Sequence, residues 1–275
     1  MNQMTYSRLI LFSDLDGTLL DKKNYSFEKA KPALRSIKKN KIPLVLCSSK
    51  TRKEIEYFRN LLNNSEPFVV ENGGAVYIPK GYFPFSFDYN RVIDDYFVFE
   101  LGTPYNAHVK NLRKLKEKTG VSLKGFSDMN VEEIAAKCNL TLDLAALATQ
   151  REYDEPFFIL EPERVSIVEK AIEFQYTQGD RFYHITNSDK GKAVIKLIEM
   201  FKKLHYDAVF VGLGDRLNDL PMLSVVDIPI LVQLKSDSYD TKVALPKLRY
   251  AKGVGPEGWN QAVLELIQSK NGYSL

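Results

Sequence analysis

Leu9-Ile-Leu-Phe12, followed at once by Ser13-Asp-Leu-Asp-Gly-Thr18, decides how the rest of the chain is read. A short apolar run that ends in a polar loop reads as a buried strand delivering its last residues to a site. Asp14 and Asp16 stand two apart, so in extended chain their side chains point the same way, about 6–7 Å from one another. Two carboxylates in that relation can share a hard cation and divide nucleophilic and acid–base work. Gly17 allows a sharp turn while the backbone approaches an anion. A bare Asp-X-Asp is often only a solvated loop with capping aspartates; behind an apolar strand it becomes a site candidate.

Outward from this strand the sequence alternates. Ser26 to Lys39 has helical spacing, with Ala30, Ala33, Leu34 and Ile37 on one face. Pro43-Leu-Val-Leu-Cys47 reads as a second strand and Thr51 to Leu62 as a helix. Phe68-Val-Val70 and Ala75-Val-Tyr-Ile78 flank Asn72-Gly-Gly74, a hairpin signal in which glycine supplies positive φ. Strand–helix–strand alternation predicts an α/β, Rossmann-like parallel sheet. From Gly81 to Tyr89 the rhythm changes to an aromatic-rich stretch without helical period. Helices are expected at 106–118, 131–137, 142–149 and 164–175, with strands at 157–160 and 181–185. The α/β rhythm resumes with a helix from Gly191 to Leu204, the strand Ala208–Val211, the run Ile228–Val232 and a closing helix Trp259–Gln268. The expected organisation is a core of 1–81 and 188–275 interrupted by an α+β insert at 82–187.

Composition bounds the function. The 275 residues are 44% hydrophobic and 27% charged, ordinary for a globular chain of one large or two unequal domains. A net charge of +3, spread along the sequence, gives no reason to expect nucleic acid or an anionic membrane as partner. No run approaches the roughly 18–20 apolar residues that span a bilayer. No secretory leader is expected, because Asp14 and Asp16 interrupt the first apolar stretch, so a cytoplasmic location is anticipated. Cys47 and Cys138 are too far apart in sequence to suggest a metal or disulfide framework, and Cys47 reads as a small buried residue.

Three more polar patches fall where open α/β sheets place ligands, beyond the carboxyl ends of strands. Ser48-Ser-Lys-Thr51 follows the second strand; hydroxyls beside a helix N-terminus can cradle a phosphate, though Ser and Thr are also routine helix caps. Lys190, within Ser188-Asp-Lys-Gly-Lys192, could neutralise phosphate charge, though most helix lysines are merely solvated. Gly214-Asp-Arg-Leu-Asn-Asp219 follows the strand Ala208–Val211 and offers carboxylates suited to Mg²⁺, which prefers oxygen ligands and retains several waters.

In this order the four patches resemble the haloacid dehalogenase-like superfamily, whose phosphatases carry an Asp-X-Asp-Gly-Thr first motif; the insert between Ser48 and Lys190 matches its larger, second-type cap. The resemblance implies that Asp14 attacks phosphorus and that Asp16 protonates the leaving alcohol, then activates water. It implies that Ser48 and Lys190 hold phosphoryl oxygens, and that Asp14, the Asp16 backbone carbonyl, Asp215 and Asp219 serve a Mg²⁺ ion. Within the superfamily the chain is similar to the mannosyl-3-phosphoglycerate phosphatases, through Ser48-Ser-Lys-Thr51, Glu71-Asn-Gly-Gly74, Arg151-Glu-Tyr-Asp-Glu-Pro-Phe157, Asp189-Lys-Gly-Lys192 and Gly255-Pro-Glu-Gly-Trp259. Arg216-Leu217 and Thr186-Asn-Ser188 depart from that family's usual residues.

The implied substrate is a small phosphorylated glycoside, 2-O-(α-mannosyl)-3-phosphoglycerate, cleaved to mannosylglycerate and phosphate. The glucosyl analogue, another sugar phosphate, or phosphate sensing without turnover are the alternatives. Substrate contacts are expected from Ser49, Lys50, Asn72, Gly73, Gly74, Arg151, Glu155 and Asn218, with Glu152 as a further acceptor of sugar hydroxyls. His184 either points into the cleft or is a satisfied structural histidine.

Overall fold

The computed structural model describes residues 8–178 and 182–270. The opening apolar run forms β1 (Arg8–Ser13), fully covered from Leu9 onward. Next come α1 (Lys31–Lys39), β2 (Leu44–Cys47), α2 (Arg52–Leu62) and β3 (Phe68–Val70), the strand–helix units read from the sequence. β4 (Ala75–Pro79) returns antiparallel on β3, with Val76 opposite Val69. In that hairpin Glu71 and Asn72 take positive φ (46° and 56°) as well as Gly73, so the turn projects polar side chains where glycine alone was expected to bend it.

β5 (Arg91–Ile93) and β6 (Tyr96–Glu100) follow, and β6 pairs antiparallel with β4. The chain then builds α3 (Tyr105–Thr119), β7 (Leu123–Gly125), α4 (Val131–Cys138), α5 (Leu142–Ala148), β8 (Glu155–Ile159), α6 (Val165–Ala171), β9 (Tyr176–Gln178) and β10 (Tyr183–Ile185). α7 (Lys190–Leu204), β11 (Ala208–Gly214), α8 (Leu220–Ser224), β12 (Ile228–Gln233), β13 (Arg249–Val254) and α9 (Pro256–Lys270) complete it.

The larger sheet has the order β13-β12-β11-β1-β2-β3-β4-β6-β5, parallel from β13 to β3. β1 lies between β2 and β11, and the chain winds outward from it in both directions. The carboxyl ends of β1 and β11 therefore flank the topological switch point, where open α/β sheets bind ligands. Apolar layers cover both faces: Leu9, Leu11, Phe68, Tyr77 and Trp259 on one, Ile10, Phe12, Val194, Phe201 and Phe210 on the other. The inserted unit has a four-stranded antiparallel sheet, β7-β8-β10-β9, and apolar clusters of its own around Leu112 and Phe157 and around Ile134 and Ala145.

The expected insert at 82–187 begins too early. β5 and β6 extend the larger sheet, and the aromatic stretch before them packs on the same side, Phe83 against Phe201 and Phe87 against Phe99. Without helical period or clean alternation, that stretch gave no sign that it covers a sheet. The two crossings lie instead near 101–103 and 186–188, joined by the Thr103 amide donating to Asn187 Oδ1 at 2.7 Å. Among the described residues no helix is long and apolar enough to cross a membrane.

Candidate active site

β1 carries Asp14 at its carboxyl end, with the Asp14 amide donating to the Leu213 carbonyl of β11 at 2.9 Å. Gly17 adopts φ +80, and a Cβ there would stand 2.6 Å from Asp215 Oδ2, so the loop approaches the end of β11 more closely than any side chain permits. Asp215 follows β11, and Asp219 sits in the next turn. Asp219 Oδ2 accepts from the amides of Asp215 (2.9 Å) and Arg216 (3.1 Å), which fixes the loop. Gly214 lets Asp219 fold back, since a Cβ there would meet the Asp219 Cβ at 2.5 Å.

Asp14, Asp215 and Asp219 are all buried, and each offers a carboxylate oxygen within 4.8 Å of the others'. Lys190, the first residue of α7 and wholly buried, reaches into this group from the second half of the chain. Its Nζ lies 2.5 Å from Asp14 Oδ1 and 2.6 Å from Asp219 Oδ1. Gly191 permits that approach, because a Cβ would stand 2.6 Å from the Pro221 carbonyl oxygen. One buried ammonium faces three carboxylates. Burial, then Asp219, pushes the Asp14 carboxyl up to about 7 despite Lys190, and burial with Asp219 and Asp14 raises Asp215 well above the usual range. Uncompensated negative charge on hard oxygen donors is the environment a divalent cation relieves, so this donor set fits one.

The remaining expected residues divide. Asp16 is partly open: Oδ2 pairs with Lys50 Nζ at 2.9 Å, while Oδ1 is a buried atom without a hydrogen-bond partner. Burial works against the Lys50 ammonium, but Asp16 and Glu54 outweigh it and raise its pKa. The Lys50 ammonium also lies 4.8 Å from the ring centre of Tyr25. Ser48 is buried behind this, its Oγ accepting from the Lys50 amide at 3.3 Å. Thr51 caps α2 in a reciprocal box with Glu54 and donates its hydroxyl to the Leu147 carbonyl of the inserted unit at 2.9 Å. Asp14, Asp16, Ser49, Lys50, Arg151, His184, Asp215 and Asn218 line one cleft between the two units.

Arg151 crosses that cleft, donating to the Ser49 carbonyl at 2.8 Å and to the Asp154 carbonyl at 2.7 Å. Asn218 Nδ2 donates to Asn72 Oδ1 at 3.3 Å. Gly73 and Gly74 do not line the cleft. They are contact points, where a Cβ would fall 2.1 Å from the Asp189 carbonyl oxygen and 2.3 Å from the Tyr153 Cβ. Glu155 is fully buried in the insert, accepting from Ser127 N and Oγ at 3.0 and 2.7 Å. Glu152 lies in a network with Tyr77 and Arg91. Neither glutamate lines the cleft, so the expectation that they meet sugar hydroxyls is replaced by these structural roles.

Two residues emerge that sequence reasoning did not single out. Asp154, buried, accepts from Asn72 Nδ2 at 2.8 Å and from His184 Nδ1 at 2.9 Å, and Arg151 approaches it at 3.2 Å. Burial pushes its pKa up, but His184 and Arg151 prevail and hold it below the usual range. Trp259, buried, donates Nε1–H to Ser13 Oγ at 2.9 Å, and Ser13 Oγ donates to the Asp14 carbonyl at 2.7 Å. Both lay within motifs already noticed. Apart from Arg151, three positions before Asp154, the side chains that pair with Asp154 lie 30 and 82 positions away and that of Trp259 lies 246 away, and no local signal names them.

The doubly wound sheet with an antiparallel-sheet insert and a buried Asp–Lys cluster at its switch point defines a haloacid dehalogenase-like hydrolase, and residues 11–91 match the model of that hydrolase family. The fold is shared with a Thermoplasma acidophilum protein (TM-score 0.65, 22% identity, 95% of this chain and 98% of that one) and with a sugar phosphatase of HAD subclass IIB (TM-score 0.63, 17% identity, 94% and 97%). Sequence relatives are nearer. The chain is 42% identical to the glucosyl-3-phosphoglycerate/mannosyl-3-phosphoglycerate phosphatase of Methanococcoides burtonii over 95% of its length and 98% of the relative's. It is 39% identical to the mannosyl-3-phosphoglycerate phosphatase of Pyrococcus furiosus over 81% and 90%. The chain belongs to this mannosyl-3-phosphoglycerate phosphatase family.

Proposed function

We propose that the protein is a Mg²⁺-dependent phosphoric monoester hydrolase that releases phosphate from 2-O-(α-mannosyl)-3-phosphoglycerate, through an aspartyl-phosphate on Asp14. The observation that carries the reading is the buried cluster in which Lys190 bridges Asp14 and Asp219 beside Asp215, at the floor of a cleft roofed by Arg151. Relatives named for this substrate cover nearly the whole chain.

Phosphoryl transfer asks mainly for in-line positioning and charge neutralisation. Asp14, Asp215, Asp219 and the Asp16 carbonyl would hold Mg²⁺, which supplies charge neutralisation on the phosphoryl oxygens and keeps Asp14 ionised. The Asp14 carboxylate then forms a bond to phosphorus as the bond to the glycerate oxygen breaks. Asp16 gives its proton to that oxygen. In the second step Asp16 takes a proton from water, whose oxygen attacks phosphorus and returns Asp14 as carboxylate with free phosphate. Lys190 holds Oδ1 of Asp14 in place and opposes repulsion of the anionic substrate. Ser48 and Ser49, with the α2 N-terminus, complete the phosphate surroundings, while Lys50 and Arg151 supply cations for the glycerate carboxylate.

The unit of residues 104–185 acts as the cap, closing over substrate and excluding water. The Thr51–Leu147 and Arg151–Ser49 bonds link cap and core beside the cleft, in keeping with a closed arrangement. The glucosyl analogue is a second substrate on this reading, because the M. burtonii and Persephonella marina relatives carry both sugars in their names. Phosphate sensing without turnover is disfavoured by Asp16, whose partly open carboxylate is the group that hydrolyses the intermediate.

Phosphate release from a panel of phosphorylated glycosides with Mg²⁺ tests the assignment. Mannosyl- and glucosyl-3-phosphoglycerate are expected to be cleaved far faster than hexose phosphates. Equal rates across the panel would reject the substrate and leave a phosphatase. No turnover of any member in Mg²⁺ would reject the enzyme.

A further inference from the structure

His184 and Asp154 form a pair that the phosphoryl chemistry does not use. His184 lies on β10 and lines the same cleft as Asp14 and Asp16, yet it is only 7% exposed. Its Nδ1 faces both oxygens of Asp154, at 2.9 and 3.0 Å. An ionised carboxylate only accepts, so Nδ1 carries the hydrogen and Nε2 is the ring's remaining hydrogen-bonding atom. Asp154 is held from the other side by Asn72 of the core hairpin and by Arg151, so the ring is oriented by both halves of the molecule. Around it the cleft wall is apolar: Phe126, Leu140, Ala148, Pro156 and Phe182 line it, and Phe126 meets Phe182 edge-on at 5.2 Å. A fixed polar atom near Arg151 in a largely apolar wall suits a sugar ring, which presents C–H faces and hydroxyls.

We propose that His184 is a specificity residue of the cap that hydrogen-bonds a glycosyl hydroxyl through Nε2, and that Asp154 is its positioning residue, fixing the ring plane. The inference rests on the glycosyl-phosphoglycerate reading above and deepens it: the cap recognises the sugar by an oriented ring nitrogen set in a largely nonpolar wall. A buried group built to pair with a hydroxyl discriminates strongly against a substrate that lacks one. Asn72 gives this recognition a link to the core, because it contacts both Asp154 and Asn218 of the aspartate loop.

The test measures kcat/KM of the full chain in Mg²⁺ on mannosyl-3-phosphoglycerate and on p-nitrophenyl phosphate, and reads their ratio. His184→Ala should lower that ratio about tenfold to a hundredfold, and His184→Gln, which retains a hydrogen-bonding side chain, should restore a good part of it. Asp154→Asn should lower the ratio in the wild-type background and lower it no further in His184→Ala, as expected for two residues acting as one unit. A wild-type ratio near one would overturn the substrate reading and this inference with it. A high wild-type ratio that His184→Ala leaves intact overturns the inference alone, as does an Asp154→Asn effect that persists undiminished without His184. Folding of each variant is checked by its thermal transition; if His184→Ala does not fold, His184→Phe, which keeps a ring and removes its nitrogens, decides the matter, a lowered ratio supporting the inference and an unaltered one overturning it.

Discussion

Replacing Gly17 by alanine tests how the nucleophile loop is tied to the metal-type aspartates. Two costs act at this position. The backbone sits at φ +80, where an L side chain costs about 1–2 kcal/mol. The new Cβ would also stand 2.6 Å from Asp215 Oδ2, so the carboxylate must retreat by roughly 0.8 Å to reach ordinary contact. Gly81 separates the two costs: its φ is +77, nothing lies within 4 Å of the Cβ position, and it is surface-exposed. Gly81→Ala should therefore lose about 1–2 kcal/mol of stability in urea unfolding and leave kcat/KM unaltered. Gly17→Ala should lose at least as much and also fall roughly 10- to 100-fold in kcat/KM, because displacements near 1 Å at a reacting centre cost on that scale. It should also need more Mg²⁺ for half-maximal rate. If the two variants show the same activity and the same Mg²⁺ requirement, the close packing of Gly17 on Asp215 is not what shapes the site.

Asp14→Asn should abolish phosphate release, whereas Asp16→Asn should stop turnover while Mg²⁺ binding by isothermal titration is retained; Mg²⁺ binding lost in Asp16→Asn would contradict the division of roles. Trp259→Phe removes the donor to Ser13 and should cost about 1 kcal/mol, with kcat lowered severalfold and KM little changed, read from steady-state kinetics and thermal melting. Arg151→Lys keeps the charge but cannot reproduce the forked contacts to Ser49 and Asp154; KM for the glycosyl substrate should rise about tenfold or more, and an unchanged KM would remove Arg151 from the cleft's working parts. Burial raises the Cys47 thiol pKa, so a thiol reagent should leave it unmodified until the protein is unfolded.

The amino-acid sequence by itself determined the order and type of the inner core elements and the location of the chemistry, while the edge strand β13, half-exposed and without a clean apolar run, went unread. β1, β2, β3 and β11 were legible because strands buried on both faces are short apolar runs, and polar strings sit at their ends, glycine-bearing after β1, β3 and β11. Asp14, Lys190 and Asp215 could be named for the same reason, although 176 positions separate Asp14 from Lys190. What tertiary structure alone decided was which polar residues work and which merely hold the fold together. Glu155 and Glu152 look like hydroxyl acceptors in sequence, but Ser127 holds one oxygen of the buried Glu155, and Tyr77 and Arg91 hold Glu152. Asp154 looks like a bystander and is a hub. Residues 91–100 were placed in the insert and form the edge strands β5 and β6 of the larger sheet, because sequence proximity says nothing about the sheet edge a strand joins. Local pattern records burial, since burial acts residue by residue. Partnership between charges depends on distances that exist only after distant segments have packed, and no stretch of the chain carries them alone.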